Sequence, residues 1–380
     1  MCTYPLSQSQ LSIFLACQGL DENTGNYQLP ALYKLPESID TKKLSAALEA
    51  VVNAHSSLRS RIVLENGTPR FEETPAGQWK TRIEKAASIG DVRKGFGKPM
   101  DLLSEPLCKA EIWLTGEGDY LYLDFHHIVC DGLSISIFLK ELNKAYKGET
   151  PEAEKVSMAQ IALREEKLRQ GPEYQEAQSW FAGNFAPCAE LESTLRPDVS
   201  APSQDTPHAP GTSYCCADFP VHITRQTVDA LRDKYGCSES TVFSLAFGLT
   251  LSAWNADTKA WFPTVWNGRV DKDTLDTVSM CVHTLPVYVE WAPGMALKDL
   301  FGKMKEQAEG VRKRHFYSFA DCVRDLGLST ALCFGYQGHM VGMNPFVMTL
   351  GDAELTPEDL RTNPPGIGLP IESGGGRETE

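Results

Sequence analysis

One stretch, residues 120–134, constrains the fold most, because it joins a strand pattern to a helix pattern through two adjacent histidines. Residues 120–125 alternate and are rich in aromatic and aliphatic side chains, which predicts a half-buried strand. Residues 133–146 carry apolar side chains on one face, which predicts a helix that ends before Gly148. The histidines are therefore expected on a strand-to-helix turn, where a rigid scaffold can hold an imidazole at the end of a cleft.

The length of the chain predicts two lobes. Its 380 residues exceed what one compact core usually holds. Residues 187–213 are rich in proline, serine and aspartate, which predicts a linker between a first lobe at 1–186 and a second lobe at 214–350. From Gly351 onward the chain is rich in proline, glycine and acidic residues, so we expect a flexible tail at 351–380.

Both predicted lobes mix helices with strands, which predicts an α/β fold. The strand patterns lie at 59–64, 109–114, 261–266, 285–291 and 331–336. The helix patterns lie at 41–55, 133–146, 158–170, 174–185, 224–235, 241–254 and 297–314.

Charge and cysteine usage exclude several classes of protein. A net charge of −14 argues against a nucleic-acid binder, which needs clustered lysine and arginine for phosphate contacts. No segment has a basic start followed by an apolar run, and no apolar run is long enough to cross a bilayer, so a cytoplasmic protein is expected. The 11 cysteines form no C-x-x-C pair and are interpreted as reduced, mostly buried thiols, Cys215-Cys216 included.

Several familiar catalytic motifs are absent from the sequence. It contains no G-x-S-x-G, no G-x-G-x-x-G and no H-E-x-x-H. Adjacent histidines on a strand point to opposite faces, which is poor geometry for chelating one metal. We therefore expect no metal site.

The remaining candidates are His126, His127, Asp131 and Gly132. An imidazole titrates near neutrality, so it can accept a proton from an attacking amine, hydroxyl or thiol. Asp131 either orients a histidine directly or is a buried carboxylate held by an arginine. Gly132 either allows a close backbone approach or supplies a positive φ. The alternative is that both histidines are ordinary half-buried strand residues.

The string from His126 to Gly132 resembles the HHxxxDG signature of the condensation domains of nonribosomal peptide synthetases, and more broadly of acyltransferases similar to chloramphenicol acetyltransferase. Further resemblances follow the family's order from about Leu6 to about Gly338. They are L-S-Q-S-Q-L at 6–11, H-S-S-L-R-S at 55–60 (similar to H-E-x-L-R-T), L-L-S-E-P-L at 102–107, W-N-G-R at 266–269, S-M-C-V-H-T-L-P-V at 279–287 (similar to G-M-F-V-N-T-L-P-V) and R-H-F-Y-S-F at 314–319.

The resemblance implies an α/β fold of the α+β sandwich kind. Two chloramphenicol-acetyltransferase-like lobes would form a V, with the active-site tunnel between them, in a monomer with pseudo-two-fold lobes. His127 would point into the tunnel. His126 and Asp131 would hold the turn, and Asp131 would pair with Arg59 of the H-E-x-L-R-T element. The amide of Gly132 would be a candidate oxyanion donor.

The implied reaction is attack of an acceptor's α-amine on a donor thioester, which gives an amide and a free carrier thiol. His127 would act as general base or would hold the nucleophile and the tetrahedral intermediate by hydrogen bonds. Both substrates would arrive on phosphopantetheine arms of upstream and downstream carrier domains, beside an adenylation domain. No cofactor bound by this chain is implied.

The sequence departs from the family pattern at several places. Ile135 follows Ser134 where an epimerisation domain has tryptophan, which favours condensation. Ser279 and His283 replace a glycine and an asparagine, and the second lobe looks shortened. Two alternatives therefore stay open: a freestanding acyltransferase with a soluble amine or alcohol acceptor, and an inactive carrier-docking platform. If Met1 is native, its place just before the first motif would suit a starter domain.

Overall fold

The computed structural model describes residues 3–19, 27–194, 223–330, 332–336 and 346–358. These residues divide into two compact units. The first comprises the described residues of Met1–Gly171, Asn267–Val282 and Asn344–Pro365, and the second those of Pro172–Trp266 and His283–Met343. The division differs from the expected lobes at 1–186 and 214–350, because Asn267–Val282 interrupts the second unit in sequence and belongs to the first.

The first unit is built from five helices and nine strands among its described residues. The helices are α1 (Gln8–Gly19), α2 (Thr41–Ala54), α3 (Ile89–Arg93), α4 (Gly132–Tyr146) and α5 (Met158–Gln170). The strands are β1 (Thr3–Pro5), β2 (Gln28–Leu35), β3 (Ser60–Glu65), β4 (Thr68–Glu73), β5 (Arg82–Ala86), β6 (Cys108–Thr115), β7 (Gly118–His126), β10 (Met348–Leu350) and β11 (Ala353–Leu355).

A four-stranded sheet in the order β2-β7-β6-β5 carries the functional turn. Strand β7 is paired on both sides, antiparallel to β2 and β6, which fixes its register. One face of the sheet packs against α2 and α4 in the largest apolar core. There the rings of Phe125 and Phe138 meet edge to face with centroids 5.1 Å apart. Since β7 is buried on both faces and held on both edges, its carboxyl end is a rigid support.

A second, smaller sheet in the order β1-β4-β3 packs with α1 and α5. Met280 and Cys281, which come from much later in the chain, belong to the same apolar cluster. Helix α2 begins at its N-cap Asp40, whose carboxylate accepts from the amides of Lys42 and Lys43, as N-cap side chains do. The residues after α2 form a short 3-10 turn, Ser57–Arg59, before β3.

The second unit contains five helices and one antiparallel strand pair among its described residues. They are α6 (Pro172–Phe185), α7 (Arg225–Tyr235), α8 (Glu239–Trp254), β8 (Lys259–Trp266), β9 (His283–Glu290), α9 (Leu297–Lys313) and α10 (Phe319–Leu326). Helices α8 and α9 pack on the strand pair. Gly248 lies against Val289 so closely that a Cβ there would collide with the valine, which explains a glycine inside this buried helix.

Most predicted elements are confirmed within one to three residues. The bounds of α5 are those of the pattern, and α7 has the expected Thr224 cap and a left-handed Gly236 at its end. The prediction of a strand at 331–336 is wrong for the residues described there, since Phe334 forms only an isolated bridge to Thr264.

Two regions expected to be irregular are folded where they are described. Residues 187–190 of the expected linker lie in a 3-10 helix, and Ser193 forms a bridge to Thr330. Residues 353–355 of the expected tail form β11, and Glu358 forms a bridge to Leu32. Residues 195–213 and 359–380, and Cys215-Cys216, lie outside the described residues. Within the described part of the chain, no helix combines the length and apolar composition needed to span a membrane.

Candidate active site

The two histidines lie where β7 ends and the turn toward α4 begins. The amide of His126 donates to the carbonyl of Leu107 at 2.8 Å, and the amide of His127 donates to the carbonyl of Tyr27 at 2.6 Å. The backbone on each side of the turn is therefore fixed by a neighbouring segment.

The side chain of His126 is buried and holds the turn together. Its Nδ1 accepts from the amide of Ile128 at 3.2 Å, so a neutral ring carries its proton on Nε2. That nitrogen lies 3.9 Å from the sulfur of Cys17. Burial, together with the neighbouring His127, lowers the pKa of His126 to about 4. His126 is thus a neutral structural group at physiological pH.

The side chain of His127 is only partly buried, in contrast to its neighbour. Its Nδ1 is enclosed without a hydrogen bond of good geometry, which leaves Nε2 as the nitrogen available for chemistry. Burial lowers the pKa of His127, while the backbone of His127 and Cys130 and the charge of Asp131 act in the opposite direction. The ring is therefore neutral near pH 7 and can accept a proton.

Asp131 is fully enclosed and is the N-cap of α4. Its Oδ1 accepts from the amide and the hydroxyl of Ser134, at 2.9 and 2.7 Å. Its Oδ2 accepts from the amide of Cys281 at 3.0 Å. Arg269 completes the set with one hydrogen bond to each oxygen, at 2.9 and 3.0 Å. With five donors on its two oxygens, Asp131 orients the turn and has no hydrogen bond to spare for a histidine.

The predicted pair between Asp131 and Arg59 is wrong, because Arg269 occupies that position. The Arg269 side chain is 0% exposed, as is that of Asp131. Its guanidinium also donates to the hydroxyl of Ser134 at 3.1 Å and to the carbonyl of Thr277 at 2.8 Å. One of the two roles weighed for Asp131, a buried carboxylate held by an arginine, is therefore the one observed.

Arg59 serves a different part of the first unit. It lies in the 3-10 turn just before β3, and the register of β3 with β4 sets Ser60 opposite Glu73. The Arg59 guanidinium consequently reaches Glu73, at 2.6 Å, and also donates to the carbonyl of Thr74. Its Nε donates to the carbonyl of Asn53 at 3.3 Å. Arg59 thus ties the end of α2 to the end of β4.

Residues 277–281 contact both Asp131 and Ser134 at the start of α4. The amide of Ser279 donates to the hydroxyl of Ser134 at 3.0 Å, and that hydroxyl lies 2.8 Å from the carbonyl of Ser279. Gln10 of α1 reaches both parts of the site, with its Nε2 3.0 Å from the carbonyl of Ile128 and 3.4 Å from the hydroxyl of Ser279. The serine that departs from the family's glycine therefore has a specific contact.

Gly132 is the first residue of α4, so its amide has no acceptor within the helix. Its φ is not positive, and an added Cβ would meet nothing within 4 Å. Neither predicted reason for a glycine, a positive φ or a close approach of protein backbone, applies here. What the structure has instead is open space beside a free N–H group.

The site therefore offers one neutral imidazole, one helix-terminal amide and a braced turn that presents both. Among the described residues, no group of three or more histidine, cysteine or acidic side chains is arranged to hold a metal ion. Proton transfer and hydrogen bonding are the chemistry that these side chains themselves supply.

The mixed helix and sheet fold is that of the condensation domains, because a solved condensation domain superposes on most of the chain. The chain belongs to the condensation-domain family, since the family model described as "Condensation domain" matches residues 2–358.

Individual relatives agree with this assignment. The chain is 26% identical over 334 residues to tyrocidine synthase 2 of Brevibacillus parabrevis, a match that covers 86% of this chain and 9% of that protein. The first condensation domain of the calcium-dependent antibiotic synthetase, solved with a substrate analogue, superposes with a TM-score of 0.66 at 18% identity and covers 95% of this chain and 85% of that one. The X-domain from teicoplanin biosynthesis, solved in complex with OxyB, gives a TM-score of 0.67 at 18% identity over 88% of this chain and 77% of that one. The chain thus spans about a tenth of the length of the synthase it matches.

Sequence reasoning found the turn but missed most of what holds it. Arg269 was recognised as part of the N-G-R element without a role, and Ser134 and the Cys281 amide were not identified. A buried, ionised aspartate needs a cation beside it, and the arginine of the N-G-R element was the sequence feature that could have identified this partner.

Proposed function

We propose that this chain forms an amide bond between a carrier-bound acyl or peptidyl thioester and a carrier-bound aminoacyl acceptor. The observation that carries the proposal is the intact HHxxxDG turn, with His127 neutral and partly exposed while His126 and Asp131 are fully engaged in holding it. Membership in the condensation-domain family gives the reaction type.

In the proposed reaction, the acceptor nitrogen forms a bond to the thioester carbonyl carbon and the carbon-sulfur bond breaks. The proton lost by the attacking amine ends on the sulfur of the donor arm. His127 accepts this proton through Nε2 and passes it on, and it also holds the amine in line with the carbonyl. The amide of Gly132 supports the oxygen that becomes negative in the tetrahedral intermediate.

The proposed partners are carrier domains on the donor and acceptor sides and an adjacent adenylation domain, since the relatives are multidomain synthetases. The phosphopantetheine arms belong to the carriers, and the chain itself needs to bind no cofactor. We place the protein in the cytoplasm, where such carriers are loaded.

The experiment is a transfer assay on purified protein with one acyl-loaded and one aminoacyl-loaded carrier, followed by the mass of each carrier. The proposal predicts that the acyl mass moves to the acceptor carrier and that His127→Ala abolishes most of the transfer. Absence of transfer by the wild-type protein with a panel of carriers would contradict it.

The same assay tests a second candidate. Transfer only to free amines or alcohols would indicate a freestanding acyltransferase. Carrier binding without any transfer would indicate a docking platform, a role suggested by the solved complex of the X-domain with OxyB.

A further inference from the structure

A second buried charged cluster lies in the first unit, outside the histidine turn. His55 follows α2 directly, and its side chain is 1% exposed. Its Nε2 lies 2.7 Å from a carboxylate oxygen of Glu141, and its Nδ1 lies 3.2 Å from a carboxylate oxygen of Glu154. Because carboxylates only accept, both ring nitrogens must donate, and His55 is therefore an imidazolium. Burial alone would lower the pKa of His55, but Glu141 and Glu154 outweigh it and raise the pKa to about 9.

Glu154 differs from Glu141 in what else it holds. Its side chain is 4% exposed, and it precedes α5 in a loop. Its Oε1 accepts from the hydroxyl and the amide of Ser56, at 2.6 and 3.3 Å. Its Oε2 accepts from the amide of Val278 at 3.4 Å as well as from His55. One carboxylate thus joins three segments that are distant in sequence.

The sequence directly beside His55 does not supply this carboxylate. Ser56 stands where the H-E-x-L-R-T pattern has a glutamate, directly after His55. The carboxylate that contacts both residues belongs instead to Glu154, 98 positions further along. A segment distant in sequence therefore supplies the acid that contacts His55 and Ser56.

Val278 connects this cluster to the active site through three residues of backbone. Its neighbour Ser279 donates an amide hydrogen bond to the Ser134 hydroxyl, and Cys281 donates its amide to Asp131. Thr277 is held as well, by Arg269 at its carbonyl and through its hydroxyl by the carbonyl of Val156, at 2.8 and 2.6 Å. Residues 277–281 are therefore anchored at one end by Glu154 and at the other by Asp131.

We propose that Glu154 is a positioning residue for the condensation reaction, which with His55 sets the place of residues 277–281 and, through the Cys281 amide, of the Asp131 turn that presents His127. The inference rests on the proposed function for its effect on turnover, although its structural part does not. Glu154 touches no reacting atom. It acts by keeping the last amide donor of Asp131 in register.

Glu141 provides the matched comparison for the test. It contacts the same imidazole but none of residues 277–281. If Glu154 only balanced the charge of His55, Glu154→Gln and Glu141→Gln would behave alike. If Glu154 positions the segment, only Glu154→Gln will disturb the site, because a glutamine amide turned toward Val278 or Ser56 sets donor against donor. Glu152→Gln, an exposed acid in the same loop, serves as the control for the loop itself.

The experiment measures kcat and KM in the carrier transfer assay, and amide hydrogen exchange at Val278 and Cys281, for the full chain and the three variants. We expect Glu154→Gln to lower kcat about tenfold with KM within about twofold, the size of one misplaced buried hydrogen bond. Exchange protection at both amides should fall by a similar factor. Glu141→Gln and Glu152→Gln should leave kcat and the Cys281 protection within about twofold of the wild type.

Equal effects of Glu154→Gln and Glu141→Gln, or unchanged Cys281 protection in a folded Glu154→Gln variant, would overturn the inference. Circular dichroism and thermal unfolding establish that each variant is folded at the assay temperature. If the wild-type protein transfers nothing, the proposed function fails, and the exchange measurement alone still decides whether Glu154 holds the segment.

Discussion

Arg269 and Asp131 form a two-pronged ion pair although 138 positions separate them in the chain. The Nη1–Oδ2 and Nη2–Oδ1 distances are 2.9 and 3.0 Å, and neither side chain has any exposed surface. Breaking such a pair from one side leaves an uncompensated charge away from water, which is far more costly than losing a surface pair.

Arg269→Ala is therefore expected to lower the free energy of unfolding by about 3–5 kcal/mol, because Asp131 would remain buried without its cation. Urea unfolding followed by circular dichroism measures the loss. Arg269→Lys is the matched variant. Lysine keeps the positive charge but loses the planar guanidinium that reaches both Asp131 oxygens and the carbonyl of Thr277. The unfolding free energy of Arg269→Lys should therefore lie between those of the wild type and Arg269→Ala. A loss below about 1 kcal/mol in Arg269→Ala would show that the pair does not hold the turn.

Arg59→Ala should have a smaller effect and should leave turnover intact. Its ion-pair partner Glu73 is 36% exposed, so solvent screens the charges, and the hydrogen bonds to Asn53 and Thr74 remain the main loss. We expect a decrease of about 1–2 kcal/mol in unfolding free energy. The transfer rate at a temperature where the variant is folded is the second measurement. A folded Arg59→Ala protein without transfer activity would show that Arg59 is needed at the active site.

His127→Ala should fold normally and lose turnover by about 10²–10⁴-fold, the usual contribution of a positioned acid-base group. Because burial lowers the pKa of His127, the wild-type kcat should stay high as pH falls through the ordinary histidine value of about 6.5 and decline only below it. A pH profile of kcat from pH 5 to 8 checks the direction. A decline centred above pH 7 would mean that another group titrates.

His126 should make the fold sensitive to acid. Its folded-state pKa of about 4 lies below the unfolded value, so the unfolded chain binds the extra proton first as pH falls. The destabilisation begins below about pH 6.5 and reaches about 3 kcal/mol at pH 4. Urea unfolding at several pH values should show a shallower dependence for His126→Asn, whose amide oxygen can still accept from Ile128. Identical slopes for the two proteins would assign the acid sensitivity elsewhere.

Gly132→Ala tests whether the open space beside the Gly132 amide is needed for turnover, without a loss of stability. The added methyl group meets no protein atom, and alanine suits a helix better than glycine, so stability should be unchanged or rise by up to about 1 kcal/mol. Turnover should nevertheless fall, because the methyl group would occupy space beside the amide that the substrate needs. Gly302→Ala in α9, which also meets nothing within 4 Å, is the control and should leave the transfer rate unchanged. Full activity of Gly132→Ala would remove that amide from the proposed mechanism.

Local signals predicted the helices and the functional turn well. The Asp40 cap, the Thr224 cap and Gly236 define helix ends through hydrogen bonds and backbone conformation that a few neighbouring residues determine. Strand β7 was predicted because its apolar pattern is long. The three-residue strands β1, β10 and β11 were not, since strands this short carry little pattern of their own. Strand β1 depends on pairing with the distant β4, and β10 and β11 pair with each other.

The support of the site could not be predicted in the same way. That Asp131 needs an arginine follows from its burial, but whether Arg59 or Arg269 provides it depends on which chain segment crosses the N-terminus of α4. The contacts of Glu154 have no local signature either, because Ser56 lies 98 positions and Val278 124 positions away in the chain. Tertiary structure decides which residue provides each contact. A motif therefore predicts the type of residue that a site needs more reliably than its position in the sequence.

The late arrival of Arg269 and Cys281 has a consequence for how the protein is made. At about 5–20 residues per second, a ribosome adds the 138 residues between Asp131 and Arg269 in roughly 7 to 30 s. By the end of that interval the residues of the strand and helix that flank Asp131 have been made, but the carboxylate still lacks the Cys281 amide. The hydrogen bonds of Asp131 therefore cannot all form until residue 281 has left the exit tunnel of the ribosome. For the same reason, a recombination boundary drawn at Gly171 would divide one compact unit, because Asn267–Val282 and the strands β10 and β11 also belong to it.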